Sequence, residues 1–320
     1  MADEHYIFSL SNKVARKHAA YKNRFGITIA ADLYTPIDMD GNTRYPAVVI
    51  GPPYSGVKEQ GPGVYANELA QAGFVALAFD PSYNGESGGE PRHVSSPDIF
   101  TEDFMAGVDY LGTRGFVDRD KIAALGICGS GGFALSAASV DVRIRAVVTA
   151  SMVDISGNAE LFYTPEMKKE RLQLLAQKRY EDFGKSEAEV IPSFPAEPEN
   201  RIPSGLDPMG AEFWSFYAMK RGHHPNARGG FTTTSDYSFF NFQLLNHIEE
   251  IAPRKVMIIA GEKAQTRGLS EQICSRMQGN AELVIVPGAN HVDLYDDVSK
   301  IPFDRIEAFL KQNLALGGQE

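Results

Sequence analysis

Cysteine is scarce in this chain: two residues in 320, Cys128 and Cys274, in separate predicted elements. That excludes a disulfide framework and points to a reducing compartment, the cytoplasm by default. Basic charge is in deficit as well. Against 41 Asp and Glu stand 31 Lys and Arg, a net charge of −10, where a nucleic-acid binder needs a basic face. No apolar run of the roughly 18 residues a membrane helix needs is present. The opening Met1-Ala2-Asp3-Glu4-His5-Tyr6 lacks the basic start and apolar core of a secretion signal. Repeats at solenoid periods and low-complexity tracts are missing, and no His, Cys and Asp cluster has zinc-ligand spacing. The expectation is a soluble cytoplasmic protein with neither nucleic-acid nor membrane partners, no metal and no organic cofactor. Its oligomeric state stays open, a homo-oligomer included.

What is present is a chain 43% hydrophobic, enough to bury the core of one large α/β domain with an insertion. Alternating stretches at Tyr6-Ile7-Phe8-Ser9-Leu10 and Ile27 to Tyr34 predict half-exposed strands forming an antiparallel edge. The pattern then changes to short, wholly apolar runs: Ala47-Val48-Val49-Ile50, Phe74 to Phe79, Ile122 to Leu125 and Ile144 to Ala150, separated by predicted helices over 63–72 and 99–113. Strands buried on both faces and alternating with helices form a parallel, doubly covered sheet. The rhythm breaks between residues 154 and 246, where a charged helix over 166–183, a stretch with Pro192, Pro195, Pro198 and Pro203, and the aromatic Phe213-Trp214-Ser215-Phe216-Tyr217 follow one another. A connector so long and aromatic predicts a helical, Pro-rich cap over the functional face. The sheet resumes at Lys255 to Gly261 and Glu282 to Pro287, after a helix over 270–278, and a closing helix over 303–314 presents Ile306, Phe309, Leu310 and Leu314 on one face. The core is thus 1–153 with 247–320, and the cap 154–246.

Chemistry concentrates at Leu125-Gly126-Ile127-Cys128-Gly129-Ser130-Gly131-Gly132, which reads as strand, tight turn, helix. A reactive side chain on such a strained turn needs small neighbours two residues to either side. With Cys128 at the apex these are Gly126 and Ser130, and the following helix N-terminus favours a thiolate. A competing frame puts Ser130 at the apex but needs the strand to run through Gly126; Cys128 is preferred. Beyond the final strand, the loop Gly288-Ala289-Asn290-His291-Val292-Asp293-Leu294-Tyr295-Asp296 holds His291, a candidate general base. Asp293 suits support of that loop. His223 and His224 read as solvated, and Asp80 and Glu86 as loop-capping carboxylates, with Arg92 and Lys58 as candidate ion-pair partners.

The elbow, the histidine loop, Phe79-Asp80-Pro81-Ser82-Tyr83-Asn84-Gly85-Glu86-Ser87-Gly88-Gly89 and Gly56-Val57-Lys58-Glu59-Gln60 resemble the α/β-hydrolase superfamily. More narrowly they resemble dienelactone-hydrolase-like bacterial proteins and their peptidase or polyketide-transferase-type relatives. The resemblance implies an α/β-hydrolase fold, a mostly parallel doubly wound sheet with an antiparallel N-terminal edge and a helical cap insertion. It also implies Cys128 as nucleophile, His291 as base, and an oxyanion hole made of the Gly129 N–H and one N–H from Gly51-Pro52-Pro53-Tyr54-Ser55-Gly56. Pro52 and Pro53 have no N–H, so Tyr54 is chosen over Ser55.

The triad acid departs from the family pattern. Three residues beyond Gly261, where an aspartate is common, stands Ala264. Glu262 in the same loop ranks first as its replacement and Asp154 second; a cysteine nucleophile also tolerates having none. The function implied is hydrolysis of a small carboxylic ester, lactone or thioester through a cysteine acyl-enzyme. Alternatives are acyl transfer from the same intermediate and a catalytically silent scaffold that binds a ligand. Phe162, Tyr163, Phe213, Trp214 and Tyr217 are candidate pocket residues for the small acyl substrate.

Overall fold

A computed structural model describes residues 5–157, 164–185 and 187–315. Phe162 and Tyr163 lie outside them. Eight strands form one sheet in the order β1-β2-β4-β3-β5-β6-β7-β8. These are β1 Val14–Lys22, β2 Thr28–Pro36, β3 Tyr45–Gly51, β4 Val75–Phe79, β5 Val117–Ile127, β6 Ile144–Ala150, β7 Lys255–Gly261 and β8 Ala281–Val286. β1 pairs antiparallel with β2 and β2 antiparallel with β4, while every pairing from β4 to β8 is parallel.

The apolar runs are continuous because the sheet is covered on both sides. Val48 and Ile50 of β3 face one core layer with Tyr65, Leu69 and Ile306, while Ala47 and Val49 face the other with Phe104, Val108 and Phe133. Helices α1 (Gly61–Gln71) and α9 (Phe303–Ala315) supply the first layer; α2 (Pro97–Gly112), α3 (Ser130–Val140) and α7 (Arg267–Arg276) supply the second. The closing helix buries Ile306, Phe309, Leu310 and Leu314, the residues expected from its periodicity.

One expected strand is corrected. Residues 6–10 form no strand; Ile7 and Phe8 pack from an irregular segment onto the first core layer, and Ser11 N–H donates to Asn67 Oδ1 at 2.9 Å. Their alternation records packing, not a ladder. The edge strand is instead β1, whose sequence VARKHAAYK leaves most side chains exposed or half-buried, so no apolar signal announces it.

Between β6 and β7 runs the insertion, with α4 Pro165–Phe183, α5 Pro208–Tyr217 and the short α6 Asp236–Asn241. Among its described residues, α4 buries only Leu175, whereas α5 buries Phe216 and Tyr217 against the core. A single helical turn, α8 Asp293–Asp296, follows β8. Among the described residues no helix is long and apolar enough to cross a membrane.

Candidate active site

The turn between β5 and α3 is a strained element of the fold. Cys128 has φ 54°, in the left-handed region that costs a side chain energy. The strain is held by backbone bonds: Cys128 N–H donates to Ala150 O at 2.9 Å, and Cys128 O accepts from Gly131 N–H at 2.9 Å and Val153 N–H at 3.0 Å. A Cβ on Gly126 would sit 2.1 Å from Ser130 O, so only glycine lets strand and helix meet here. Ser130 is the first residue of α3 and not the apex.

Burial pushes the Cys128 thiol above its ordinary value, partly offset by the neighbouring Tyr295 hydroxyl and the backbone N–H groups of Tyr54 and Gly129. The two residues named from the sequence adjoin each other, since a Cβ on Gly129 would lie 2.9 Å from Tyr54 Cβ. The net effect is a neutral thiol, opposite to the thiolate expected from the helix N-terminus, because with 6% of the residue exposed desolvation outweighs partial charges.

His291 is fully buried, and burial drives its imidazole down to about 3. Its Nδ1 lies 2.9 Å from Thr266 Oγ1 and its Nε2 3.0 Å from Tyr295 Oη. The partner at Nδ1 is thus a hydroxyl. Glu262, expected there, points outward and accepts from Gly288 N–H at 2.8 Å. It is a loop clip, and the sequence reading is corrected at this position. Asp154 accepts from Ser156 N–H at 3.0 Å, and Ala264 is buried. Burial is what lowers the imidazole.

Several groups that sequence reasoning missed hold this loop. Ser151, itself at φ 48°, donates its hydroxyl to His291 O at 2.8 Å. From the insertion, Glu212 Oε1 accepts from Val292 N–H at 2.8 Å, and Arg221 donates to Asp296 at 2.7 Å. Asp293 supports the loop as expected, accepting from Asn290 N–H at 2.9 Å and from Lys300 Nζ at 2.7 Å. Tyr295 and Tyr217 share a side-chain hydrogen bond. Of these, Tyr295, four residues after His291 in the same loop, and Tyr217, among the candidate pocket residues, lay within stretches already singled out.

Aromatic side chains of the insertion cover the site. Phe213 meets the His291 ring edge-on at 5.4 Å, and Phe231 packs 4.3 Å from the Tyr54 ring. Trp214 lies a step back, against Phe194 at 6.2 Å. Beside Tyr54, Ser130 and Phe231 there is a cavity of about 10 Å³; Ser55 and Asn84 also line a second hollow of about 270 Å³ whose walls include Arg92 and Arg228.

Away from the sulfur, a buried charge cluster welds three segments together. Asp80 accepts from Lys58 N–H and Glu86 N–H, both at 2.8 Å, so it does cap its loop. Lys58 Nζ also bonds Asp80, Glu59 and Glu86. Arg92 bonds the carbonyls of Ser87, Gly89 and Gly85 rather than a carboxylate. His224 is buried, not solvated, 3.8 Å from Glu59 Oε2. Both cysteines are free, and no group of His, Cys, Asp and Glu suited to a metal occurs among the described residues.

A mostly parallel sheet of this order, with a strained reactive turn after β5 and a buried histidine loop after β8, defines an α/β-hydrolase. The chain belongs to the dienelactone hydrolase family, whose model matches residues 29–170. It is similar to the Pseudomonas aeruginosa protein PA2218, at 44% identity over 96% of this chain and 83% of that one. The crystal structure of PA2218 superposes with a TM-score of 0.92, at 43% identity over 98% of each chain. The polyketide transferase grgF of a Penicillium species is 25% identical over 95% of this chain and 99% of that one. Its crystal structure, aligned at 22% identity over 94% of this chain and 99% of that one, has a TM-score of 0.78 and shares the fold. A thiohydrolase of Aspergillus aculeatus, aneE, is 24% identical over 80% of this chain and 79% of that one.

Proposed function

We propose that the protein is a hydrolase that cleaves a small carboxylic ester, lactone or thioester through an acyl-enzyme on Cys128, with His291 as general base. What supports this reading is the meeting of two backbone segments beside Cys128: a Cβ on Gly129 would lie 2.9 Å from Tyr54 Cβ, and the N–H groups of both residues favour a charged sulfur. Two such donors beside a nucleophile are what a tetrahedral oxyanion requires, and a buried structural cysteine does not need them. Attack by Sγ would place the carbonyl oxygen at these N–H groups, His291 would hold the proton released, and collapse would expel the alcohol or thiol. Water activated by His291 would then free the acid. Thr266 would fix the imidazole with its proton on Nδ1, the orienting task a carboxylate otherwise performs.

A cavity of about 10 Å³ beside Tyr54 is about one water in size. Phe231 of the insertion helps close that hollow, so an acyl group seated there would displace it, the behaviour expected if residues 154–246 act as a cap. The aromatic cover supports a second reading, transfer of the acyl group to an acceptor other than water, and grgF carries the name polyketide transferase. The test is turnover of p-nitrophenyl esters of graded chain length, with and without iodoacetamide and with and without added alcohol or amine. Hydrolysis blocked by alkylation supports the first reading; ester consumption only with an acceptor supports the second. Cys128→Ala and His291→Ala should each abolish turnover while leaving thermal stability nearly unchanged. Wild-type rates in either variant would end both readings.

A further inference from the structure

We propose that the Tyr295 hydroxyl carries the proton between Cys128 and His291, so that the reactive unit is a Cys–Tyr–His relay and not a directly bonded pair. The inference rests on the nucleophile and base proposed above and concerns how they communicate.

Three observations lead to it. First, both imidazole nitrogens have partners: Nδ1 faces Thr266 Oγ1 at 2.9 Å and Nε2 faces Tyr295 Oη at 3.0 Å. A neutral imidazole has one acceptor nitrogen; with the proton on Nδ1, as proposed above, that nitrogen is Nε2, and its partner among the described residues is Tyr295. Second, Tyr295 packs in the same buried cluster as Cys128, and its hydroxyl is the side-chain group that acts on the Cys128 thiol. The oxygen therefore neighbours the nucleophile while it bonds the base. Third, Tyr295 has little freedom to leave. It is fully buried, and its ring meets Phe216 edge-on at 5.1 Å and His291 at 5.5 Å. Its hydroxyl is shared with Tyr217, and the neighbouring Leu294 O is held by Tyr65 Oη at 2.8 Å. A rotamer change would displace packed aromatic rings and strip three polar groups of a partner.

The step balances without an external reagent. As Sγ attacks the acyl carbon, the S–H bond breaks and its proton forms a new O–H bond at Tyr295. In the same motion the original Tyr295 O–H proton passes to His291 Nε2. The carbonyl π pair moves onto oxygen, facing the N–H groups of Tyr54 and Gly129, and Tyr295 ends as neutral as it began. The reverse shift delivers the proton to the leaving alkoxide or thiolate. Burial and the adjoining sulfur hold the Tyr295 hydroxyl well above its ordinary value, which suits a group that never rests as an anion.

The test is the burst of p-nitrophenolate that reports acylation, measured for wild type, Tyr295→Phe and a protein with a fluorotyrosine at 295, in mixtures of H2O and D2O. Loss of one positioned proton-transfer group should slow acylation by about 10² to 10⁴-fold in Tyr295→Phe. The wild-type proton inventory should be bowed, showing two protons in flight, and fluorotyrosine should shift the pH dependence of the burst. A structural role would move none of the isotope or pH readouts. A wild-type burst in Tyr295→Phe, or a linear wild-type inventory with no fluorotyrosine shift, would overturn the relay; a faster burst would identify Tyr295 as an inhibitory latch and overturn it equally. Should Tyr295→Phe fail to melt cooperatively, the fluorotyrosine protein decides alone. Failure of the underlying reading is separate, because it appears as a burst that survives Cys128→Ala.

Discussion

At neutral pH the free protein should hold Cys128 and His291 both uncharged, in contrast to the thiolate–imidazolium pair common among cysteine nucleophiles. The magnitude follows from burial. The thiol lies above its ordinary 9.0 and the imidazole is driven down to about 3, so moving the proton between them is opposed by at least about 8 kcal/mol. Attraction between charges with a hydroxyl between them returns only about 3 kcal/mol at an effective dielectric near 20. The balance leaves an ion pair populated below about 10⁻³. The perturbation is a pH titration from about pH 5 to about pH 10, and the signal is thiolate ultraviolet absorbance, wild type minus Cys128→Ser, which cancels Cys274 and does not depend on reagent access. No thiolate should appear until the titration passes 9.0. A step with a midpoint below about 7, lost in Cys128→Ser, would refute the argument that desolvation dominates here.

Other outcomes follow from single contacts. Thr266→Ala should slow turnover about 3- to 10-fold, the worth of one neutral hydrogen bond, whereas Glu262→Gln should stay within about twofold because its carboxylate serves Gly288 N–H; steady-state rates distinguish them. Gly126→Ala should cost about 3 kcal/mol or more in urea melts, since its methyl would meet backbone at 2.1 Å. Lys58→Met should cost about 3–5 kcal/mol by leaving Asp80 and Glu59 without their shared cation. Glu59 is raised to about 7 by burial and then by Asp80. Its contribution to stability is therefore full below the ordinary 4.5 and lost as pH rises through about 7. Denaturant midpoints should accordingly show wild type losing ground to Glu59→Gln over that window, and an unchanged difference would count against the buried cluster.

Much of the fold was legible because β3 to β7 are buried on both faces along most of their length, and a run such as Val48-Val49-Ile50 suits little besides a strand covered on both sides. β1 was not, since an edge strand of Arg16, Lys17 and His18 carries no apolar signal, and the alternation of Tyr6 to Leu10 arose from packing on α1 and β2. In the site, Cys128 could be read from the small neighbours a strained turn needs, and Tyr54 was narrowed by prolines that cannot donate, whereas Gly129 and His291 came from the family resemblance. Thr266 and Tyr295 could not be read. A hydroxyl that replaces a carboxylate leaves no spacing signature, and expecting an acid in the loop after β7 directed attention to Glu262, two residues short of Ala264 and four short of Thr266. Glu212 and Arg221 grip the histidine loop from about 70 to 80 residues away in sequence, and only the folded chain reveals that reach.

The central claim, that Cys128 is the nucleophile, is tested most directly by acid-quenching the protein during turnover of p-nitrophenyl esters and mapping the acyl adduct by peptide mass spectrometry. The account expects one thioester, on Cys128, formed within the burst and absent from Cys128→Ala. An adduct on Ser130, or acylation that persists in Cys128→Ala, would contradict it.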